Sequence, residues 1–361
     1  MEDVVTPASV RIRPQARAFA QPDLSRSRWT PLVELSGLDA GCCRVLGKLE
    51  NMNPTGSVKD RVASELIADA EREGRLRPGM TIVEASSGNA TIALGSICRD
   101  KGYKVLAYVP ASMSEEKKRL HRALGVEMRF FTADPDRPFT NIRRDAAIEL
   151  AQSDPENYIT LDQFSAPANV NAHRKYTGVE IWEQLADLGG TIDRLFVGAG
   201  TGGALCGLGS ALRHPDRNPD MGITMVDPEG SVLAAIVRGE QPCADQMKAP
   251  DGLGERFVPK NLDLSMVDDA AVINRTDAVD CCADLVAATG ILGGPCTGYT
   301  LKAALDWCKQ QTTPKTALVL VCDRGENYLS DPMFTEAIDR AHERARMGTS
   351  NQPAQAAMAV H

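Results

Sequence analysis

The chain of 361 residues carries 48 acidic against 40 basic side chains, a net charge of −8, and 43% of it is hydrophobic. That length holds one large α/β unit or two domains, and an acidic balance with no basic block argues against nucleic acid or an anionic membrane surface as a partner. The ten cysteines are scattered, with no CxxC and no Cys/His spacing of a zinc site, so they are expected to be reduced and no metal site is expected.

Residues 1–28 are rich in Arg, Pro, Ala and Ser without periodicity and read as a flexible extension. They lack the apolar core and small-residue cleavage site of a secretory signal. The longest apolar runs, such as Thr316 to Cys322, are strand-length and too short to span a bilayer. A cytoplasmic protein is therefore expected. Between residue 29 and residue 345, short β-branched runs alternate with amphipathic segments of helical spacing. The runs are RVLGKLE (44–50), TIVEA (81–85), KVLAYVP (104–110), EMRFF (127–131), RLFVGAG (194–200), GITMVDP (222–228) and ALVLVCD (317–323). The alternation predicts α/β architecture with mainly parallel sheets and crossover helices. Pro- and Gly-rich breaks near 132–139 and 240–254 read as mobile loops, and residues 346–361 as a disordered tail.

In such sheets ligands bind where strands end and helices begin. The first such turn is NMNPTGSVKDRVASEL (51–66), which puts Lys59 in the first turn of a helix expected to run to Gly74. The positive end of a helix disfavours an ammonium, so the pKa of Lys59 is expected to fall. That suits a lysine acting as a neutral amine, although the turn alone favours a solvated lysine. In the second, TIVEASSGNATIALG (81–95), Ser86, Ser87 and Gly88 offer backbone N–H groups and hydroxyls at a helix start near Asn89, as a carboxylate site or as a simple capping cluster. The third, LFVGAGTGGALCGLG (195–209), is a glycine-rich turn that lets amides approach a phosphate. Here Gly198, Gly200 and Gly203 also satisfy GxGxxG, with Asp227 ending the next strand, so a dinucleotide site is an alternative. Taken together, the three turns supply an amine for a Schiff base, a carboxylate clamp and a phosphate seat. Those are the needs of pyridoxal phosphate chemistry, and a dinucleotide site explains neither of the first two.

Seven motifs in order carry a resemblance to the cysteine synthase and cystathionine β-synthase family of pyridoxal phosphate enzymes, which have the tryptophan synthase β-subunit-like fold. They are KLENMNPTGSVKDR, EASSGNATIALG, MSEEKKRLHRALGVEM, LDQFSAPANVNAHRKYTGVEIW, GAGTGGALCGLG, VDPEGSVLA and GLGERFVP, within a stretch from Thr30 to Asp331. The resemblance implies two α/β domains with twisted, mainly parallel sheets flanked by helices and the cofactor in the cleft between them. One domain is expected over 45–165, with a mobile part, and the other over 29–44 plus 166–345. It also implies that Lys59 forms the internal Schiff base and is catalytic, and that Asn89 meets the phenolic oxygen of the cofactor. Gly200, Thr201, Gly202, Gly203 and Ala204 are similar to the phosphate loop, and Cys296 to the residue beside the pyridine nitrogen, with Thr297 as its competitor if the loop shifts by one. Ser86, Ser87, Gly88 and Ala90 are similar to the substrate-carboxylate loop, Gln163 to a further substrate contact, and Arg256 to a position facing the incoming substrate. Relatives of this kind are usually homodimers.

Two departures bear on the chemistry. Ala90 replaces a threonine and so removes a hydroxyl donor, and a neutral side chain at 296 leaves the pyridine ring a weaker electron sink than an aspartate would. The implied activity is β-replacement on an L-serine derivative (serine, O-acetyl-L-serine or O-phospho-L-serine) through an aminoacrylate. A 2,3-diaminopropionate-type synthase, suggested by DRGENYLSD, and cystathionine β-synthase, suggested by VDPEGSVLA, remain open, as do a serine or threonine dehydratase and a non-catalytic relative.

Overall fold

The β-branched runs become strands because their side chains are buried on both faces of a parallel sheet. In the computed structural model, which describes residues 29–132, 139–188, 190–215, 218–242 and 252–349, they form β2 (Arg44–Lys48), β3 (Thr81–Glu84), β4 (Lys104–Pro110), β5 (Glu127–Phe131), β7 (Arg194–Gly198), β8 (Gly222–Pro228) and β10 (Thr316–Leu320). Three further strands escape a reading by pattern. β1 (Leu32–Glu34) and β6 (Tyr158–Ile159) are too short to show a period, and β9 (Asp269–Ile273) is an edge strand opened by Asp and two alanines.

Six strands form one sheet in the order β1-β2-β10-β7-β8-β9, parallel except for β1 against β2. Four form a second, all-parallel sheet, β5-β4-β3-β6. Helices cover both faces of each. On the larger sheet, residues from helices Gly178–Leu188 and Gly203–Leu212 build one core, and residues from Arg275–Thr289 and Pro295–Lys309 the other. Helices Lys59–Arg72 and Asn89–Lys101 pack on one face of the smaller sheet and Phe139–Ser153 on the other.

Two expectations are corrected. β2 pairs with β10 in the larger sheet, so residues 45–48 do not belong with the smaller sheet; a motif that continues straight into the Lys59 turn hid the crossing. The last helix, Pro332–Thr349, runs past residue 346, where the tail was expected to begin. Most of that tail, the extension 1–28 and most of both expected mobile loops lie outside the described residues. Among the described residues no helix is long and apolar enough to cross a membrane. The C-terminal ends of β3, β7 and β10 all lead into one cleft, and the site is built there.

Candidate functional site

A cavity with about 690 Å³ of empty space, its open mouth included, is lined by Val58, Lys59, Asn89, His173, Gly200, Thr201, Gly202, Ala204, Cys296 and Asp323 among others. Lys59 opens its helix, which runs Lys59–Arg72 and ends before Gly74 at φ 69°. The turn before it is fixed by Asp60, whose carboxylate accepts from the Thr55 N–H at 3.0 Å and the Thr55 hydroxyl at 2.6 Å. The pKa of Lys59 is indeed lowered, but burial is the leading cause; Cys296, Cys322, Glu84 and Asp323 pull it back up. An amine in this setting is closer to its neutral, nucleophilic form than a surface lysine.

Asn89 opens the next helix, and its Nδ2 donates to Asp323 at 2.7 Å. Gly202, at φ 80°, is the N-cap of helix Gly203–Leu212, and no side chain caps that end. A Cβ on Gly200 would collide with the Gly252 carbonyl, and one on Gly202 would lie 2.7 Å from the Leu262 Cβ. Only glycine allows this backbone to curl against the cavity, with the first amides of the helix left for an anion. Thr201 is held from behind, its hydroxyl accepting from Asn169 Nδ2 at 2.9 Å. An amine, an uncapped helix start and an amide on one cavity wall are a donor set that fits pyridoxal phosphate.

Cys296 lines the cavity, whereas Thr297 is fully buried and its hydroxyl accepts from the Cys322 N–H at 3.1 Å. The register that puts Cys296 toward the cavity is therefore the one observed. Ser86, Ser87 and Gly88 form the turn just before Asn89, with Ser86 accepting from the Gly88 N–H at 3.3 Å. Ala90 and Gln163 share a small side hollow with Lys59 and Glu84. Arg256 does not line the cavity: it is exposed, and the loop instead buries its neighbour Glu255. Asp227 is fully buried and accepts from the Ala234 N–H at 2.8 Å, so it serves a helix start rather than a ribose.

Three residues went unread in the sequence. His173 opens a π-helical segment, His173–Thr177, and lines the cavity; burial, then the charges of Lys59 and Arg61, push its pKa down to about 3, so it stays neutral. Asp323 follows β10 and is 2% exposed. Glu84 ends β3, and burial raises its carboxyl to about 7, against one hydrogen bond from Gln163 at 3.1 Å. From 4.5 to about 7 the unfolded chain ionises Glu84 while the folded protein keeps the proton, so stability falls as pH rises through that window. The loss reaches up to about 3 kcal/mol. Glu84→Gln should remove it. In urea titrations the variant is expected to gain on the parent at about pH 8 relative to about pH 5, and an unchanged gap would mean that Glu84 is already ionised in the fold.

Comparison with known proteins points to the same cofactor. Cysteine synthase A of Escherichia coli (strain K12) is 37% identical over 309 residues, 85% of this chain and 93% of that protein. Cysteine synthase of Staphylococcus aureus (strain Mu50) is 35% identical over 307 residues, 85% and 94%. The crystal structure of O-ureido-L-serine synthase matches with a TM-score of 0.76 at 35% identity, covering 86% of this chain and 94% of that one. That of a hydrogen sulfide-producing enzyme from Fusobacterium nucleatum also gives 0.76, at 33% identity, covering 86% and 100%. Residues 25–323 match the family described as pyridoxal-phosphate dependent enzyme, and with the cavity, the amine and the uncapped helix start already in place, the chain belongs to that family.

Proposed function

We propose that the chain catalyses pyridoxal phosphate-dependent β-replacement on an L-serine derivative. The observation that carries this reading is the convergence of Lys59, Asn89, the Gly200–Ala204 turn and Cys296 on one cavity. Bound there, the cofactor supplies an electron sink that makes the Cα proton of an amino acid labile and lets a group on Cβ depart. Lys59 would hold the cofactor covalently through Nζ, and the same amine would take the Cα proton and return it. The amides of Gly200, Thr201, Gly202, Gly203 and Ala204 would hold the phosphate, Asn89 would donate to the phenolic oxygen, and Cys296 would serve as an uncharged neighbour of the ring nitrogen. Ser86, Ser87 and Gly88 receive the substrate carboxylate, with Ala90 leaving room where a hydroxyl would stand. Gln163 completes the substrate side. Cleft walls from two sheets exclude water from the reacting carbon.

The donor carries a neutral leaving group, as in serine or O-acetyl-L-serine, in preference to a phosphate. Among the described residues the cavity lining offers Lys59 as its cation, His173 is neutral, Arg256 is exposed, and Asp323 adds an acid. An extra dianion would find little to pair with. The protein works as a cytoplasmic homodimer on small amino acid substrates, with no nucleic acid or membrane partner. The test is the visible spectrum of the purified protein before and after L-serine, O-acetyl-L-serine and O-phospho-L-serine, each added separately. A yellow band that shifts with one of the first two is the expected result. A response to the phosphorylated donor alone would overturn the leaving-group assignment, and no yellow band after added pyridoxal phosphate would overturn the reaction class.

A further inference from the structure

Asp323 lies where the chain leaves β10, and its backbone is tied to both sides of the cleft. It pairs with Ser57 in an isolated antiparallel bridge two residues before Lys59, and its carbonyl accepts from the Gly294 N–H at 3.0 Å. Its side chain lines the cavity, with Oδ2 accepting from Asn89 Nδ2 at 2.7 Å and from the Tyr328 hydroxyl at 2.6 Å. Tyr328 in turn has the Lys117 ammonium 5.5 Å from its ring centroid, on helix Glu115–Ala123 beside the smaller sheet. Oδ2 of Asp323 accepts from both Asn89 and Tyr328 and donates to neither. The amide of Asn89 must therefore turn its nitrogen, not its oxygen, toward Asp323. One N–H is then engaged and the second is left for another acceptor, on a residue that lines the cavity.

We infer that Asp323 is a positioning residue: it locks the Asn89 amide so that an N–H, and never the carbonyl, meets the phenolic oxygen of bound pyridoxal phosphate. The inference rests on the cofactor reading given above. A charge-assisted hydrogen bond on one amide hydrogen holds the group more firmly than a neutral acceptor would. The carboxylate also favours a positive charge on the Lys59 nitrogen. The other titratable groups around that nitrogen are Glu84, His173, Cys296 and Cys322.

The test is a double-mutant cycle on cofactor binding and colour. Apoprotein is titrated with pyridoxal phosphate by fluorescence, and the yellow band of the loaded protein is followed against pH, for the parent, Asp323→Asn, Asn89→Ala and the double variant. Asp323→Asn is expected to weaken cofactor binding about tenfold, the worth of one buried hydrogen bond, and to lower the pH at which the yellow band is lost. In the Asn89→Ala background the same change should leave binding almost unaltered, because the two residues act as one unit. Tyr328→Phe, which removes the second hydrogen bond to the carboxylate, provides a milder variant should Asp323→Asn fold poorly; a smaller shift in the same direction, again absent with Asn89→Ala, is expected. Additive losses, or unchanged binding and colour in a well-folded Asp323→Asn protein, would overturn the inference while leaving the cofactor reading intact. A parent protein that takes up no pyridoxal phosphate would overturn the reading itself.

Discussion

Lys59→Ala is expected to abolish the yellow colour and lower turnover by at least about ten-thousandfold, since it removes both the covalent anchor and the base that moves the Cα proton. The loss should not come from unfolding. Burial lowers the Lys59 pKa below its ordinary value, so below pH 10.5 the unfolded chain binds the proton more readily than the fold does. Buried charge at this point thus costs stability at neutral pH, and the cost is relieved only as pH rises toward 10.5. Alanine is also a better helix former at the start of Lys59–Arg72. The cofactor-free variant should melt at or above the temperature of the cofactor-free parent, and calorimetry of the two apoproteins checks this. A colourless variant that keeps more than about a hundredth of the activity would contradict the role of Lys59 as base.

The second large effect is expected two residues further on. Arg61 is fully buried, donating to Glu50 at 2.6 and 2.9 Å and to Glu180 at 2.6 and 2.8 Å, with the Thr30 hydroxyl at 3.0 Å. Lys48, also fully buried, donates to Glu180 at 2.7 Å, to the Thr30 carbonyl at 2.6 Å and to Gln184 at 2.9 Å. Burial opposes the charge on Arg61, but Glu50 and Glu180 outweigh it and hold the guanidinium protonated. Two cations and two anions therefore balance in one buried network that joins β2, the Lys59 helix and helix Gly178–Leu188. Arg61→Met fills the space but leaves Glu50 without its cation and Glu180 with Lys48 alone, at a cost of about 3–5 kcal/mol. Arg61→Lys should recover only part of that, because an ammonium cannot serve both carboxylates in a planar fork. Urea denaturation of the apoproteins measures both; a loss below about 1 kcal/mol for Arg61→Met would mean that water already reaches the pair.

What could be read from the sequence follows from how local each feature is. Lys59, Asn89 and the Gly200–Ala204 turn each sit at a strand-to-helix junction whose residues are neighbours in the chain, so the junction announces itself. Arg61 looks like the polar side of an amphipathic helix. It is buried, with Asp60 and Glu65, because that helix is enclosed on more than one side, and only the tertiary fold says so. Glu84 reads as an ordinary strand end until Lys59, Leu66, Leu94 and Gln163 enclose it. Asp323 meets Asn89 and Ser57 only through the return of β10 to the centre of the larger sheet. The pKa of Lys59 falls, as its place at a helix start predicts, but burial is what lowers it.

The pairing of β2 with β10 also governs when the protein can come into being. Arg44 finds its partner Thr316 only after every residue between them has been made, and until then the early strands wait beside a smaller sheet that is already complete in sequence. Long-range parallel pairing is slow and leaves apolar edges open in the meantime. A nascent chain stalled before residue 316 would hold Lys59 and the glycine turn yet enclose no cofactor cavity, because Asp323 and Cys322 of its wall are still missing. Cofactor capture thus waits for β10 and the residues after it, and a product truncated before them is an aggregation-prone half sheet rather than a weak enzyme.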